Sequence, residues 1–261
     1  REVSDAMHSF SADHPLSQAL AERGYTDLTA VQTAVLEPGT EGRDLLVSAQ
    51  TGSGKTVAFG LAMAPEVLGG SDILKPVEAP LALIIAPTRE LALQVARELG
   101  WLYGETGAQI ATCVGGMDYR TERRALERGA QIVVGTPGRL RDHIERGSLD
   151  LSALRACVLD EADEMLDLGF REDLEFILGA APADRDPVAA SRQRDVERVA
   201  PGSEFTDHSR LEMHDVAVAA HLHELDHLDR AGRAHPAQIV AAQVDQHQVL
   251  GPLLGVGQQF G

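Results

Sequence analysis

The feature that most restricts the fold is an eight-residue segment rich in glycine and hydroxyl side chains. It consists of Ala49, Gln50, Thr51, Gly52, Ser53, Gly54, Lys55 and Thr56. An apolar run precedes it, and a segment of helical periodicity begins at Lys55. Glycines at such a junction let backbone N–H groups surround phosphate oxygens, while Lys55 can reach the β and γ phosphates and the Thr56 hydroxyl can ligate Mg²⁺. The segment therefore predicts a nucleotide phosphate loop rather than a plain Gly/Ser-rich turn.

Short apolar runs alternate with longer amphipathic segments between Arg43 and Asp160. The runs predict strands at residues 44–48, 81–86, 109–114, 132–135 and 156–159. The segments between them predict helices at residues 55–68, 89–99, 120–128 and 138–146. Strands that alternate with helices form a parallel sheet covered on both faces. Residues 23–185 are therefore predicted to be an α/β domain with a doubly wound parallel sheet, preceded by an N-terminal segment at 1–22.

A predicted strand that ends in two acids supplies a second part of the site. Cys157, Val158 and Leu159 run directly into Asp160 and Glu161. Because ligands bind beyond the carboxyl ends of parallel strands, we expect Asp160 to share one magnesium ion with the phosphate loop. Glu161 would then orient or deprotonate the attacking water. Alone, two such acids are typical of a solvated first helical turn, but the lysine loop favours the catalytic interpretation.

The charge and the cysteines exclude several classes of protein. A formal net charge of −17 excludes a protein that coats nucleic acid through its overall field. Cys113 and Cys157 lie in separate apolar runs, which predicts two buried thiols rather than a disulfide or a metal site. No run approaches the roughly 18 apolar residues of a membrane span, and the amino terminus has no basic-then-apolar pattern. The cytoplasm is therefore the expected compartment, without a membrane partner.

The motifs, taken in order, resemble those of the DEAD-box RNA helicases. Asp160-Glu161-Ala162-Asp163 spells that family's signature, and the phosphate loop has the family's form, with alanine at its first position. The further matches, in family order, are Gly24-Tyr25 through Gln32 (Q motif), Pro87–Leu91 (motif Ia), Gly115-Gly116 (GG element) and Thr136–Arg139 (motif Ib). The resemblance extends over about residues 10–182 and implies a RecA-like phosphate-loop NTPase fold.

The resemblance also implies roles for individual residues. Gln32 would read the adenine edge and Tyr25 would stack on or beside the base, although alone they are typical of a surface helix residue and a core aromatic. The residues that would contact RNA phosphates and riboses are Thr88, Arg89, Gly115, Gly116, Thr136, Gly138 and Arg139. A few donors at helix starts allow even an acidic protein to bind RNA. The implied activity is RNA-stimulated ATP hydrolysis with Mg²⁺, coupled to local unwinding of RNA duplexes.

The family pattern ends near Asp186. A complete member would continue with a Ser-Ala-Thr motif and a second domain whose arginines complete the ATP site. Residues 186–261 show neither and are predicted to be a tail of another origin: a shifted reading frame, a fused fragment or a genuine extension. The first is favoured, because the bias toward His, Arg, Ala and Val is that of out-of-frame coding. Helices are predicted at 211–228 and 237–250, with a loose end after them.

These differences from a complete member have consequences for activity and solubility. Without arginines from a second domain, the γ phosphate lacks a contribution of roughly 10³ in rate, so hydrolysis by this chain alone should be very slow. A truncated, non-catalytic module that binds ATP or RNA is therefore the alternative function. Without the family's last strands, one flank of the strand at Val158-Leu159 should be exposed and promote aggregation.

Overall fold

The computed structural model describes residues 10–38, 40, 45–49, 52–181, 197–199 and 238–243. Its strands, in chain order, are β1 Leu45–Ser48, β2 Ala82–Ile85, β3 Ile110–Cys113, β4 Ile132–Gly135, β5 Ala156–Asp160, β6 Glu197–Val199 and β7 Gln238–Gln243. Its helices are α1 Pro15–Glu22, α2 Ala30–Ala34, α3 Lys55–Ala62, α4 Ala64–Leu68, α5 Arg89–Leu102, α6 Tyr119–Glu127, α7 Pro137–Glu145, α8 Ala162–Asp167 and α9 Arg171–Ala180.

The strands form one parallel sheet in the order β3-β4-β2-β5-β7-β1-β6. This arrangement confirms the predicted α/β fold with a parallel sheet and flanking helices. Strand β7 lies between β1 and β5, and its residue Ala242 pairs with Val47 on one side and with Asp160 on the other. Strands β1 and β5 therefore end within one residue of the same level, so the segments that follow them meet at one edge of the sheet.

Alternating side chains of the strands enter two separate cores, one on each face of the sheet. Ile84 and Val158 belong to the core that contains α3 and α5, whereas Leu83 and Cys157 belong to the core that contains α7 and α9. Successive strand residues point to opposite faces, so strands buried on both sides are apolar throughout. The two cores fix the orientation of every strand that ends at the predicted site.

The predicted helix at residues 55–68 is divided in the structure. It forms α3 and α4, which are separated at Met63. Pro65 explains the division, because proline has no N–H to donate to the preceding turn and restricts the residue before it. Gly69 ends α4 in the left-handed conformation with φ of 57°.

Two predictions about the tail are wrong. Residues 238–243, predicted as part of a helix, form the strand β7. The same strand pairs with β5, so the flank of Val158-Leu159 is covered rather than exposed. All six residues of β7 pair with β1, with β5 or with both. This backbone pairing stabilises a strand in a segment whose local pattern favours a helix. The predicted helix at 211–228 lies outside the described residues, and the boundary near residue 186 stays a prediction.

The two cysteines are buried, as predicted, and no disulfide joins them. Cys113 and Cys157 each lie on the strand that its apolar run indicates. The ligand atoms of Cys113, Glu122 and His143 lie within 4.8 Å of one another, so the sequence-based exclusion of Cys113 from any metal site stays a prediction. Among the described residues, no helix has the length and apolar character that crossing a bilayer requires.

Candidate nucleotide and RNA sites

The phosphate loop connects β1 to α3 at the carboxyl edge of the sheet. Ala49 is buried directly after β1, and Gly52 and Gly54 adopt left-handed backbone conformations with φ of 80° and 88°. Gly54 stands immediately before Lys55, the first residue of α3, and has no side chain with which to cap that helix. The amide donors of a first helical turn then face a loop that can hold an anion. Gln50 and Thr51 lie outside the described residues.

Asp160 and Glu161 lie where β5 ends. Asp160 is the last residue of the strand and is 4 % exposed, whereas Glu161 is half-buried. Glu161 is also the one described residue other than glycine with a positive φ, at 53°. A left-handed conformation costs a residue with a side chain about 1–2 kcal/mol, so the surrounding structure imposes this geometry.

The two acids are electrostatically coupled to Lys55. Burial raises the pKa of Asp160 from 3.8 to about 6, and the nearby Lys55 charge opposes that rise. Burial, a hydrogen bond with Glu164 and the Asp160 charge raise the pKa of Glu161 to about 7, again opposed by Lys55. Lys55 of the loop after β1 therefore acts on both acids after β5. The structure brings together the lysine and the two carboxylates that the sequence assigns to one site.

The donor set around Asp160 fits a hard divalent cation. A carboxylate that is 4 % exposed is unfavourable as an anion unless a cation compensates it, and the raised pKa of Asp160 expresses that imbalance. Ser53 Oγ in the loop and Asp163 Oδ1 beside the acids are buried polar atoms with no protein partner among the described residues. Carboxylate and hydroxyl oxygens are the ligands that Mg²⁺ prefers.

The raised pKa of Asp160 predicts that Asp160→Asn stabilises the ligand-free chain at neutral pH. The folded carboxyl keeps its proton up to about pH 6, whereas the unfolded one loses it near 3.8. The stabilising contribution of the protonated Asp160 carboxyl is therefore fully present below pH 3.8 and is lost as the pH rises through 6. Asp160→Asn should raise the free energy of unfolding by about 2–3 kcal/mol at pH 8 and leave it unchanged near pH 4.

Urea denaturation at several pH values measures this difference. Asp167→Asn, a change to an exposed acid of α8, is the matched control and should have no comparable effect. If the difference in the free energy of unfolding between Asp160→Asn and the unsubstituted chain does not vary with pH, it does not come from ionisation of the Asp160 carboxyl.

Gln32 connects the Q motif to the phosphate loop. The side chain is fully buried; its Oε1 accepts a hydrogen bond from the Thr29 N–H at 3.0 Å, and its Nε2 donates to the Gly54 carbonyl at 3.2 Å. The Thr29 hydroxyl accepts from the Gln32 N–H in return, which completes a capping box at the start of α2. Gln32 thus holds the residue that opens α3, and its contact with adenine stays a prediction.

A Cβ atom at Gly54 would lie 2.4 Å from Gln32 Nε2, so Gly54→Ala should both strain the loop and displace Gln32. We expect the affinity of the Gly54→Ala variant for a fluorescent ATP analogue to be lower by about 10-fold to 100-fold. Gly70→Ala is the matched control, because Gly70 has a φ of 79° but open space around its Cβ position. It should lose stability through backbone strain alone and, in the same titration, retain ATP affinity. Equal ATP affinities of the two variants would contradict a role for the Gln32 contact.

Tyr25 is half-buried against the core that contains α3 and α5. Its ring stacks on the ring of Trp101, with centroids 5.9 Å apart. The Arg23 guanidinium lies 5.0 Å from the centroid of the Trp101 ring. One face of Tyr25 is therefore occupied by protein. Stacking of its remaining surface on or beside adenine stays a prediction.

The three predicted RNA segments follow β2, β3 and β4 and meet around the Gly115-Gly116 turn. Arg89 donates to the Gly115 carbonyl at 3.2 Å, and Arg139 donates to the Met117 carbonyl at 2.6 Å. The two glycines are exposed, with φ of 80° at Gly116. The segments that the sequence assigns separately to RNA therefore form one continuous surface.

The helix starts in this surface differ in how they are capped. The Thr88 hydroxyl accepts from the Leu91 N–H at 3.2 Å and caps α5. Thr136 precedes α7 without a side-chain cap, and Gly138 is exposed in the first turn of that helix. Arg139 is 18 % exposed and is held by two carboxylates, at 2.7 Å from Glu122 and 3.5 Å from Asp142.

Sequence reasoning missed the buried side chains beneath this surface. Glu122 is 3 % exposed and His143 is fully buried, and they are hydrogen-bonded to each other at 2.7 Å. The helical period offered a signal: Glu122 shares a face with Ala125 and Leu126, and His143 follows Leu140 on the inner face of α7. Polar residues at core-facing positions of two consecutive helices indicate a buried polar pair.

The fold and this site define a phosphate-loop nucleotide-binding domain of the α/β class. The model of the DEAD/DEAH box helicase family matches residues 29–193, well over half of the chain. The chain therefore belongs to the DEAD/DEAH box helicase family, as its motifs predict.

Named relatives support the same assignment. The chain is 46 % identical over 180 residues to the chloroplastic DEAD-box ATP-dependent RNA helicase 3B of Zea mays, which covers 67 % of this chain and 24 % of that protein. It is 43 % identical over 182 residues to the ATP-dependent RNA helicase CshA of Listeria monocytogenes, covering 70 % and 34 %. The chain thus spans about a quarter to a third of the length of these relatives.

Solved structures show the same fold. The crystal structure of a DEAD box protein from Methanococcus jannaschii superposes with a TM-score of 0.61 at 28 % identity, over 90 % of this chain and 55 % of the other. A hypothetical ATP-dependent RNA helicase from Sulfolobus tokodaii gives 0.60 at 26 % identity, over 88 % and 57 %.

Proposed function

We propose that this chain is the ATP-binding domain of an ATP-dependent RNA helicase, whose RNA-stimulated ATP hydrolysis is coupled to local separation of RNA duplexes. The observation that carries the proposal is that the phosphate loop after β1 and the acids at the end of β5 lie at one edge of the sheet, since Val47 and Asp160 pair with the same residue of β7. The relatives of Zea mays and Listeria monocytogenes bear the name of ATP-dependent RNA helicase.

The phosphate loop would bind the triphosphate of ATP. Backbone N–H groups between Ala49 and Thr56 donate to phosphate oxygens, and the Lys55 ammonium neutralises charge on the β and γ phosphates. The Thr56 hydroxyl and the Asp160 carboxylate would hold Mg²⁺, which supplies further neutralisation of the phosphates when bound. Gln32 and Tyr25 would select adenine.

Glu161 would act as the general base. A water oxygen forms a bond to the γ phosphorus while the bond from that phosphorus to the β–γ bridging oxygen breaks, giving ADP and phosphate. The proton of the attacking water passes to the Glu161 carboxylate. A pKa of about 7 suits this role, because a base is most effective when its pKa is near the working pH.

The surface around Gly115 and Gly116 would bind the ribose-phosphate backbone of RNA. Exposed amides of the two glycines and of Gly138 can donate to phosphates, together with the hydroxyls of Thr88 and Thr136 and the guanidinium groups of Arg89 and Arg139. Such contacts position a strand without reading its sequence. They would allow the chain to bind RNA despite its net charge of −17.

The cytoplasm remains the proposed compartment. The chain carries no helix, within the part that the structure describes, that could span a membrane. The relative of Zea mays is named as chloroplastic, so the compartment varies among similar proteins.

Equilibrium binding of fluorescent ATP and GTP analogues, with Mg²⁺ or with EDTA, tests the nucleotide part of the proposal. We expect the chain to bind the ATP analogue with Mg²⁺, more weakly with EDTA, and to bind the GTP analogue more weakly still. A titration with labelled single-stranded RNA tests the other part. A chain that is folded by circular dichroism but binds neither ATP nor RNA would contradict the proposal.

A further inference from the structure

A buried carboxylate joins three segments beneath the proposed RNA surface. Glu122, on α6, accepts a hydrogen bond from the Val114 N–H at 2.9 Å through Oε1. Its Oε2 accepts from Arg139 Nε at 2.7 Å and lies 2.7 Å from His143 Nε2. Glu122 is only 3 % exposed, and its contacts with Val114 and His143 are buried. We call Glu122, Arg139 and His143 the Glu122 cluster.

The Glu122 cluster holds the Gly115-Gly116 turn at both of its ends. Glu122 binds the N–H of Val114, the residue before the turn, and orients Arg139, which donates to the carbonyl of Met117, the residue after it. The only residues between these two anchors are the exposed glycines. Glycine pairs have wide conformational freedom, so these anchors on both sides, together with the Arg89 hydrogen bond to the Gly115 carbonyl, would fix the direction of their amides.

Aromatic stacking makes the cluster rigid. Tyr119, at the start of α6, stacks on His143 with ring centroids 4.3 Å apart and an interplanar angle of 9°. The guanidinium groups of Arg139 and Arg146 lie 5.3 Å and 5.0 Å from the centroid of the Tyr119 ring. The Tyr119 hydroxyl is also hydrogen-bonded to Ser148. Arg139 is therefore restricted by its carboxylate partners and by an aromatic face.

Packing alone does not account for a carboxylate at position 122. The residue lies on the inner face of α6 with Ala125 and Leu126, where an aliphatic side chain would also fill the space. An aliphatic side chain would leave the Val114 N–H and Arg139 Nε without their acceptor. What the carboxylate adds is orientation of the turn and of one guanidinium group.

We propose that Glu122 is a positioning residue for RNA binding, which acts through Arg139 and Val114 to hold the Gly115-Gly116 turn in the orientation that binds the ribose-phosphate backbone. This inference rests on the proposed function of the turn and of Arg139 in RNA binding. Glu122 itself is buried and does not touch the RNA.

The test measures the affinity of the chain for a labelled single-stranded RNA and, separately, for a Mg²⁺-ATP analogue. The variants are Glu122→Ala, Glu122→Gln, Arg139→Ala and the double variant of Glu122→Ala with Arg139→Ala. Glu127→Ala is the matched control, because Glu127 is a 53 % exposed carboxylate on the same helix. Circular dichroism and thermal unfolding show which variants fold.

We expect Glu122→Ala to weaken RNA binding by about 10-fold to 100-fold, as removal of a buried orienting partner does at other sites, and to leave ATP affinity within about twofold. Glu122→Gln should show a smaller loss, because its amide oxygen still accepts from Val114. The double variant should bind RNA only slightly more weakly than Arg139→Ala, since the two residues act in one pathway.

Several results would overturn the inference. RNA affinity of folded Glu122→Ala equal to that of Glu127→Ala would do so, and so would equal losses of RNA and ATP affinity. If Glu122→Ala does not fold, Glu122→Gln decides, and unchanged RNA affinity in that variant overturns the inference. If the unsubstituted chain binds RNA and substitution of Glu122 has no effect, only this inference is contradicted. If the unsubstituted chain does not bind RNA at all, the proposed function is contradicted as well.

Discussion

Replacing Glu161 by glutamine is expected to lower the rate of RNA-stimulated ATP hydrolysis by about 10²-fold to 10⁴-fold, because glutamine cannot accept the proton of the attacking water. The amide keeps the size and the hydrogen-bonding capacity of the side chain, so ATP affinity should change little. The rate of the unsubstituted protein should rise with pH through about 7 as Glu161 loses its proton, and the variant should lack that rise. The measurement is single-turnover hydrolysis across pH, with a second helicase domain supplied.

Asp167→Asn is the matched control for Glu161→Gln, because Asp167 is an exposed acid on α8. It should leave both the rate and its pH dependence unchanged. A Glu161→Gln variant that hydrolyses ATP within about threefold of the unsubstituted rate would show that Glu161 is not the base, since general-base catalysis contributes far more.

Replacing Lys55 by alanine is expected to weaken binding of the Mg²⁺-ATP analogue by about 100-fold or more and to abolish hydrolysis, because the ammonium group is the cation assigned to the β and γ phosphates. Lys55 also opposes the rises in the pKa values of Asp160 and Glu161. Its removal should therefore raise both pKa values further, which protonates the acids at neutral pH and weakens their interaction with Mg²⁺.

The chain offers a close control, because Lys75 is its only other lysine and is exposed. Lys75→Ala removes the same charge from the protein as a whole without touching the phosphate loop. Fluorescence titration of the two variants compares them directly. Equal ATP affinities for Lys55→Ala and Lys75→Ala would contradict the assignment of the loop.

Most of the sheet could be predicted from the sequence, because its first five strands are mainly apolar and the helices between them are amphipathic. The strand at 132–135 has the predicted bounds. The division of the predicted helix 55–68 follows from the effect of Pro65 on the backbone, which the apolar periodicity of that segment does not reveal. The strand at Gln238–Gln243 could not be predicted locally, because pairing with β5 and β1 determines its conformation.

The phosphate loop and its acids could be predicted because each lies at a sequence junction between a strand and a helix. What the sequence could not show is how side chains distant in the chain contact one another. Gln32 holds Gly54 by a hydrogen bond across 22 positions, and Glu122 reaches Arg139 across 17. Such contacts depend on the angle at which helices pack on the sheet, which periodicity alone does not determine.

The measurement that tests the central claim most directly is the steady-state rate of ATP hydrolysis by this chain, with and without single-stranded RNA, alone and with the second domain of a DEAD-box helicase supplied. We predict slow hydrolysis by the chain alone and a rise of about 10³-fold or more when RNA and the second domain are both present, lost in Lys55→Ala. ATP binding without hydrolysis in every mixture would favour the non-catalytic module. Hydrolysis that responds to neither RNA nor the second domain and persists in Lys55→Ala would contradict the account.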